Sequence, residues 1–236
     1  MEEIFRRCPK LTLVTFTVIP ILLIPYWESS GVLGWFPWVK GFSVMAGIVL
    51  IVLFRVTSLG RTSFGRWAIY LFLVANILEA VIKDISAGNI ANYLNAVAGL
   101  LVILTLNRVD TIHLGTDGKY KDVHWDGMSL AWIIGYTIWN WVFIYLNYTL
   151  SSIHHLTVLL SALVVAFVDR ERWLQTRAIT LGTYFILSIS IPHSDVGLFS
   201  DPYNEGFGLF VSVVALGVMI SYAGHAIIAH RGRGYV

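Results

Sequence analysis

The sequence predicts an all-α integral membrane protein, a polytopic bundle of about eight transmembrane helices with both termini cytoplasmic. Three observations predict it. Of the 236 residues, 57% are hydrophobic and only 13% charged, against about 25% charged in an average soluble domain. Eight apolar runs, at roughly 10–27, 39–55, 67–86, 90–106, 128–147, 153–168, 178–192 and 206–228, approach the ~17–25 residues that a ~30 Å hydrocarbon layer requires. Threading the chain back and forth through those runs places fourteen of the sixteen Lys and Arg residues on one side. The positive-inside rule makes that side cytoplasmic.

Taken in order, the first run follows Arg6, Arg7 and Cys8, the sole cysteine, so no intramolecular disulfide is possible. Arg6-Arg7 before an apolar run has the look of a signal peptide, but the run ends at Trp27-Glu28 without a small-residue cleavage pair and reads as a retained helix. Lys40, at the outer start of the second run, is one of the two basic residues left outside. Arg55, Arg61 and Arg66 fill the inner loop before the third run, which carries the other, Lys83, near its outer end. From Asp84 to Asn92, Gly88 and two asparagines interrupt the apolar pattern, an outer turn compatible with gating.

The inner segment after the fourth run holds Asp117, Lys119, Lys121, Asp122, His124 and Asp126 among Gly115, Gly118 and Gly127. Asp122, His124 and Asp126 alternate as on one edge of an extended segment, but mixed charge among glycines reads as a solvated turn. The fifth run contains Trp132, Trp139 and Trp141, and Asn147-Tyr148-Thr149 at its end matches a glycosylation pattern too close to the membrane to carry weight. Arg170, Arg172 and Arg177 precede the seventh run, and His225 and His230 flank the inner end of the eighth, five apart and so on different faces. Trp27, Trp35 and Trp38 outside, with Trp67, Trp125 and Trp173 inside, are expected to form two interfacial belts.

The loops leave no room for a soluble domain, so residues 1–236 read as one membrane domain. Halves 1–118 and 119–236 share a faint pattern of arginine-rich inner loop, aromatic helix and polar outer turn, a possible 4+4 parallel repeat. A net charge of +2 without a dense Lys/Arg block excludes nucleic acid as a partner. The expected location is the cell membrane.

Ionisable groups inside hydrocarbon cost about 2.5–3.5 kcal/mol on insertion scales and mark functional positions. Glu79 lies ~20 Å from the inner end of its run at 1.5 Å per residue. Asn76, Glu79 and Lys83 fall along one helix stripe. Asn92 and Asn95 on the fourth run, and Tyr136 and Asn140 on the fifth, reach similar depth, and Trp139 adjoins Asn140. These eight residues are the expected substrate-binding set of a small transport protein or channel for a small polar or cationic solute or protons, with Glu79 bearing the charge. The asparagines also suit interhelical hydrogen bonding.

An alternative is a membrane-embedded hydrolase or transferase acting on a lipid-like substrate at the outer interface, with His154, His155, His193 and Asp195 as catalytic candidates. His193, Asp195 and Asp201 are candidate metal ligands, since imidazole and carboxylate suit zinc, though their spacing is unspecific. Adjacent His154 and His155 point about 100° apart, so one at most joins such a site. A third expectation is a structural or sensory subunit. No phosphate loop, nucleophile elbow or HExxH pair occurs, and no cofactor is implied; the expected partners are the lipid bilayer and a small solute or proton.

Overall fold

The computed structural model describes residues 2–30, 35–115, 119–191 and 203–232, and helix makes up 86% of it. The described residues include nine α-helices. The first, α1 (Glu2–Arg7), is short and held by Glu3, which pairs with Arg6 at 3.1 Å and Arg7 at 2.8 Å, the i+3 and i+4 neighbours on a helix surface. Proline then opens α2 (Pro9–Ser29) at the first helical position, where its missing N–H is no loss. There follow α3 (Trp35–Val56), α4 (Ser63–Ala87) and α5 (Ile90–Leu104), strands β1 (Ile112–Leu114) and β2 (Val123–Trp125), then α6 (Leu130–Asn147), α7 (Ser152–Val168), α8 (Trp173–Ser190) and α9 (Glu205–Gly232).

Each of the eight apolar runs therefore forms a helix, α2 to α9. Four segments, Pro9–Ser29, Trp35–Val56, Thr149–Val168 and Glu205–Ile228, are long and apolar enough to cross a membrane. Polar side chains fix several helix starts. Ser129 Oγ accepts from Trp132 N at 3.1 Å to begin α6, Asn89 Oδ1 accepts from Asn92 N at 3.0 Å to begin α5, and Asn204 Oδ1 accepts from Phe207 N at 2.8 Å ahead of α9.

The chain forms two compact units, each assembled from three separated stretches. One contains residues 1–76, 108–127 and 164–198; the other contains 77–107, 128–163 and 199–236. In the first, Phe5, Phe16, Val44, Met45, Ile48, Ile179, Leu181 and Ile186 form a buried core among α1, α2, α3 and α8. Gly182 lets α8 settle against Ile48 and Phe16, where any Cβ would collide. In the second, α5 packs on α6 and α9, and α6 on α9.

Two expectations are corrected. The segment around Asp122 is not a solvated turn: β1 and β2 pair antiparallel, with Ile112 opposite Trp125 and His113 opposite His124, and Ile112, Val123 and Trp125 are fully buried. Strand alternation turns those three inward. Nor do all six tryptophans form interfacial belts, because Trp27, Trp125 and Trp173 are buried in protein while Trp35 and Trp67 are exposed. Trp125 instead donates its indole N–H to the Arg108 carbonyl at 3.2 Å.

Candidate functional site

The second unit contains a buried carboxylate at the corner between α4 and α5. Gly88, at φ +74°, takes the left-handed conformation that ends α4, and Asn89 caps α5 directly after it. The chain reverses within those two residues. Asp84, one turn before the corner, is thereby brought beside Asn92 and Asn95, in the first two turns after it. Asn92 Nδ2 donates to Asp84 Oδ1 at 2.7 Å, and Asn95 Nδ2 donates to Asp84 Oδ2 at 2.7 Å. A third amide arrives from the end of α6, where Asn147 Nδ2 donates to Asp84 Oδ1 at 2.7 Å and to the Phe143 carbonyl at 2.9 Å.

Asp84 and Asn95 are 0% exposed and Asn92 1%; Asn147 is half-buried. Each hydrogen bond to a charged acceptor contributes about 1.5–3 kcal/mol. Three such bonds are of the same order as the several kcal/mol lost when a carboxylate leaves water. Among the described residues no Lys, Arg or His forms an ion pair with Asp84; the charge of its sequence neighbour Lys83 acts on it through space. Two acceptors beside it, Asn92 Oδ1 and Asn95 Oδ1, are buried and meet no donor among the described residues, at about 1–3 kcal/mol each.

The surrounding packing holds this group in place. Trp139 is fully buried and donates its indole N–H to the Asn95 carbonyl at 3.0 Å, across a contact that Gly99 leaves open for the ring. Tyr136 lies between Trp132, on which it stacks, and Trp139, to which it is tilted by 56°, with ring centroids 5.6 Å from each. Asn140 is bonded elsewhere: its Oδ1 lies 3.0 Å from His155 Nε2, and both residues are buried. The second histidine, His154, is half-buried, and its carbonyl accepts from Thr157.

Of the sequence-predicted set, the structure thus brings Asn92, Asn95 and Trp139 together, around Asp84. Tyr136 joins them through Trp139. Asn76, Glu79 and Lys83 are each half-buried along α4, and the Asn76 carbonyl accepts from Lys40 Nζ at 2.9 Å. Glu79 stands five residues before Asp84, about 140° round the helix. His193, Asp195 and Asp201 lie outside the described residues. Among the described residues, no group of three or more His, Cys, Asp and Glu side chains is placed to hold a metal ion.

The first unit has a buried aspartate of a different kind. Asp122, 4% exposed, accepts from Arg6 Nε at 2.9 Å and Nη2 at 2.7 Å, and from Gln175 Nε2 at 2.8 Å, with Arg55 Nη2 at 3.6 Å. Burial opposes its ionisation, but the hydrogen bonds from Arg6 and Gln175 and the charges of Arg6 and Arg55 outweigh it and hold the carboxyl below its ordinary value. Arg55, 2% exposed, donates to the carbonyls of Arg6, Tyr120 and Lys121. Together they tie α1 and the hairpin to α3 and α8.

A model of the family described as "Family of unknown function (DUF5692)" matches residues 1–232. The chain belongs to that family. No curated protein and no solved structure matches it. In this DUF5692 member, then, the roles of residues rest on their geometry.

Three residues of these clusters escape sequence reasoning. By sequence alone Asp84 lies near the outer surface beside Lys83, where a solvated helix end and a gating role read equally well, because only the reversal at Gly88 brings Asn92 and Asn95 to it. Asn147 shows in the sequence only as a chance glycosylation match. Asp122 is disguised by its glycine-rich surroundings, although its alternation with His124 and Asp126 is the signal of β2.

Proposed function

We propose that the chain is a small multi-pass transport protein or channel for a small cation or protons, and that Asp84 is its charge-bearing residue. The observation that carries this reading is a fully buried carboxylate held by three amides and by no salt bridge among the described residues. Interhelical adhesion needs hydrogen bonds but not an acid, and a buried acid in a membrane bundle without an ion-pair partner marks an ion or proton route by default. Asn92 and Asn95 orient the solute or its charge, Trp139 and Tyr136 shape the wall, and Asn140 with His155 forms a second buried polar pair. Glu79, with Asn76 and Lys83 on its stripe, supplies a further carboxylate along α4. We place all eight apolar helices across the cell membrane with both termini cytoplasmic, which puts the corner at Gly88 on the outer side.

Reconstitution into liposomes tests the reading. Wild-type protein is expected to give cation- or proton-dependent flux above empty vesicles. Asp84→Asn, which keeps the shape and removes the charge, is expected to return flux to background, and Glu79→Gln to lower it. Wild-type flux that both folded variants leave unchanged refutes the assignment.

A further inference from the structure

The four polar side chains at the α4–α5 corner offer more acceptor capacity than donors. Three amide groups satisfy the Asp84 carboxylate, yet Asn92 Oδ1 and Asn95 Oδ1 remain buried with no donor among the described residues. A carboxylate without a counter-ion thus sits next to two orphaned amide oxygens. As it stands the carboxylate faces the amide nitrogens, but the same corner holds four oxygens, the donor type a hard cation requires.

We propose that Asp84, Asn92 and Asn95 bind one partly dehydrated Na+, and that the two asparagine amides turn over as the ion enters. An asparagine amide exchanges its oxygen and nitrogen by a half-turn about its last side-chain bond, within almost the same volume. Without an ion, a half-turn would set an amide oxygen where Nδ2 now lies, 2.7 Å from a carboxylate oxygen, and the two would repel. With a cation between them the same half-turn becomes favourable. The ion then receives both Asp84 oxygens and the two amide oxygens, with the open positions left for water or a solute.

The rest of the corner is already fixed in the way this exchange needs. Asn89 holds the Asn92 backbone N–H, and Trp139 holds the Asn95 carbonyl, so the amide planes turn while the backbone stays. Asn147 is anchored at both Asp84 and the Phe143 carbonyl. It keeps its orientation and steadies the carboxylate as a positioning residue.

Charge selects the ion. One carboxylate balances one positive charge, whereas Ca2+, of similar size and with oxygen distances of about 2.3–2.6 Å, would leave a net charge buried. K+ is the larger ion and would need longer oxygen contacts and more room at the corner than Na+. The inference rests on the transport reading for what the ion is used for, but its binding is measured separately.

The test is equilibrium binding of 22Na+ to purified protein in detergent, in choline buffer, with thermal unfolding followed in parallel. Saturable one-to-one binding is expected, with a rise in Tm on adding NaCl that KCl does not reproduce. Asp84→Asn is expected to weaken binding at least tenfold. Asn92→Leu should do the same, whereas Asn92→Asp, which restores oxygen and adds a charge, should shift the preference toward Ca2+. Should the variants fail to fold, the wild-type isotherm with K+ and Ca2+ competition decides. Absence of saturable 22Na+ binding by wild-type protein overturns the proposal, as does equal binding by folded Asp84→Asn. Saturable binding without flux in liposomes upholds the ion site and refutes transport. Proton flux in sodium-free medium without 22Na+ binding does the reverse.

Discussion

Asp122 and Asp84 are withdrawn from solvent to the same degree, 4% and 0% exposed, but their partners differ in kind. Asp122 meets two guanidinium groups, and each charge in that cluster cancels another while Arg55 ties three backbone carbonyls. Asp84 meets three neutral amides. A neutralised cluster holds structure and gives nothing to bind, whereas an uncompensated one is stabilised by whatever brings positive charge. On the proposed reading the contrast separates a structural acid from a functional one, and exchanging each for its amide is the direct way to break it.

Asp122→Asn should have the largest effect on stability. It leaves buried Arg55 without its counter-charge and Arg6 with Glu3 alone, and losing one partner of a buried pair costs about 3–5 kcal/mol. Chemical denaturation in detergent should show that loss, while flux per folded molecule stays near wild type. Asp84→Asn should invert the pattern. Flux falls at least 100-fold, and the unfolding midpoint moves by no more than a few degrees, because two of three amide contacts can be re-formed. A stable Asp122→Asn protein, or an Asp84→Asn protein with a strongly lowered midpoint and undiminished flux, would erase the distinction.

Much of the fold was readable from the sequence. Each apolar run from residue 10 to 228 became a helix because a long uninterrupted stretch of apolar residues has few other ways to satisfy its backbone. The six residues of α1 show no such run; their only trace is Glu3 with Arg6 and Arg7 at helical spacing. The site was half legible. Asn92 and Asn95 stood out by spacing, but their acid did not, since Asp84 meets them through a corner fixed by one left-handed glycine. Asn147 is 63 residues from Asp84, and Arg6 is 116 from Asp122. No local periodicity carries pairings of that length.

Asparagine truncations sharpen the comparison at intermediate cost. Asn95→Ala removes a hydrogen-bond donor from the ion-free corner and an oxygen ligand from the ion-bound one, and frees the Trp139 contact only slightly, since that contact is to its backbone. Flux is expected to fall about tenfold, roughly 1.4 kcal/mol. His155→Ala leaves Asn140 without its imidazole neighbour, and its effect on flux should be smaller. An Asn95→Ala protein as active as wild type would detach the asparagines from the route and leave Asp84 acting alone.

The smallest effects lie in the pH dependence of the first unit, where the two titrating groups act with opposite sign. Asp122 has a folded pKa below its unfolded value, so its contribution is complete above the unfolded carboxylate range near 3.9 and is lost as pH falls through the folded value. His113 runs the other way. Burial lowers its pKa, but the bonds to the Leu114 carbonyl and to Asp126, 2.7 Å from Nε2, raise it further. Its contribution is therefore complete below the unfolded value near 6.5 and disappears as pH rises through the folded one. Because the His113 side chain is 42% exposed and that of Asp126 50%, solvent screens the pair, and Asp126→Asn should flatten the neutral slope only slightly. Unfolding midpoints measured between pH 3 and 8 are expected to show an acid fall that Asp122→Asn lacks and a shallow neutral decline that Asp126→Asn lacks. An acid fall of equal size in Asp122→Asn would assign it to other carboxylates and remove the buried pair as its source.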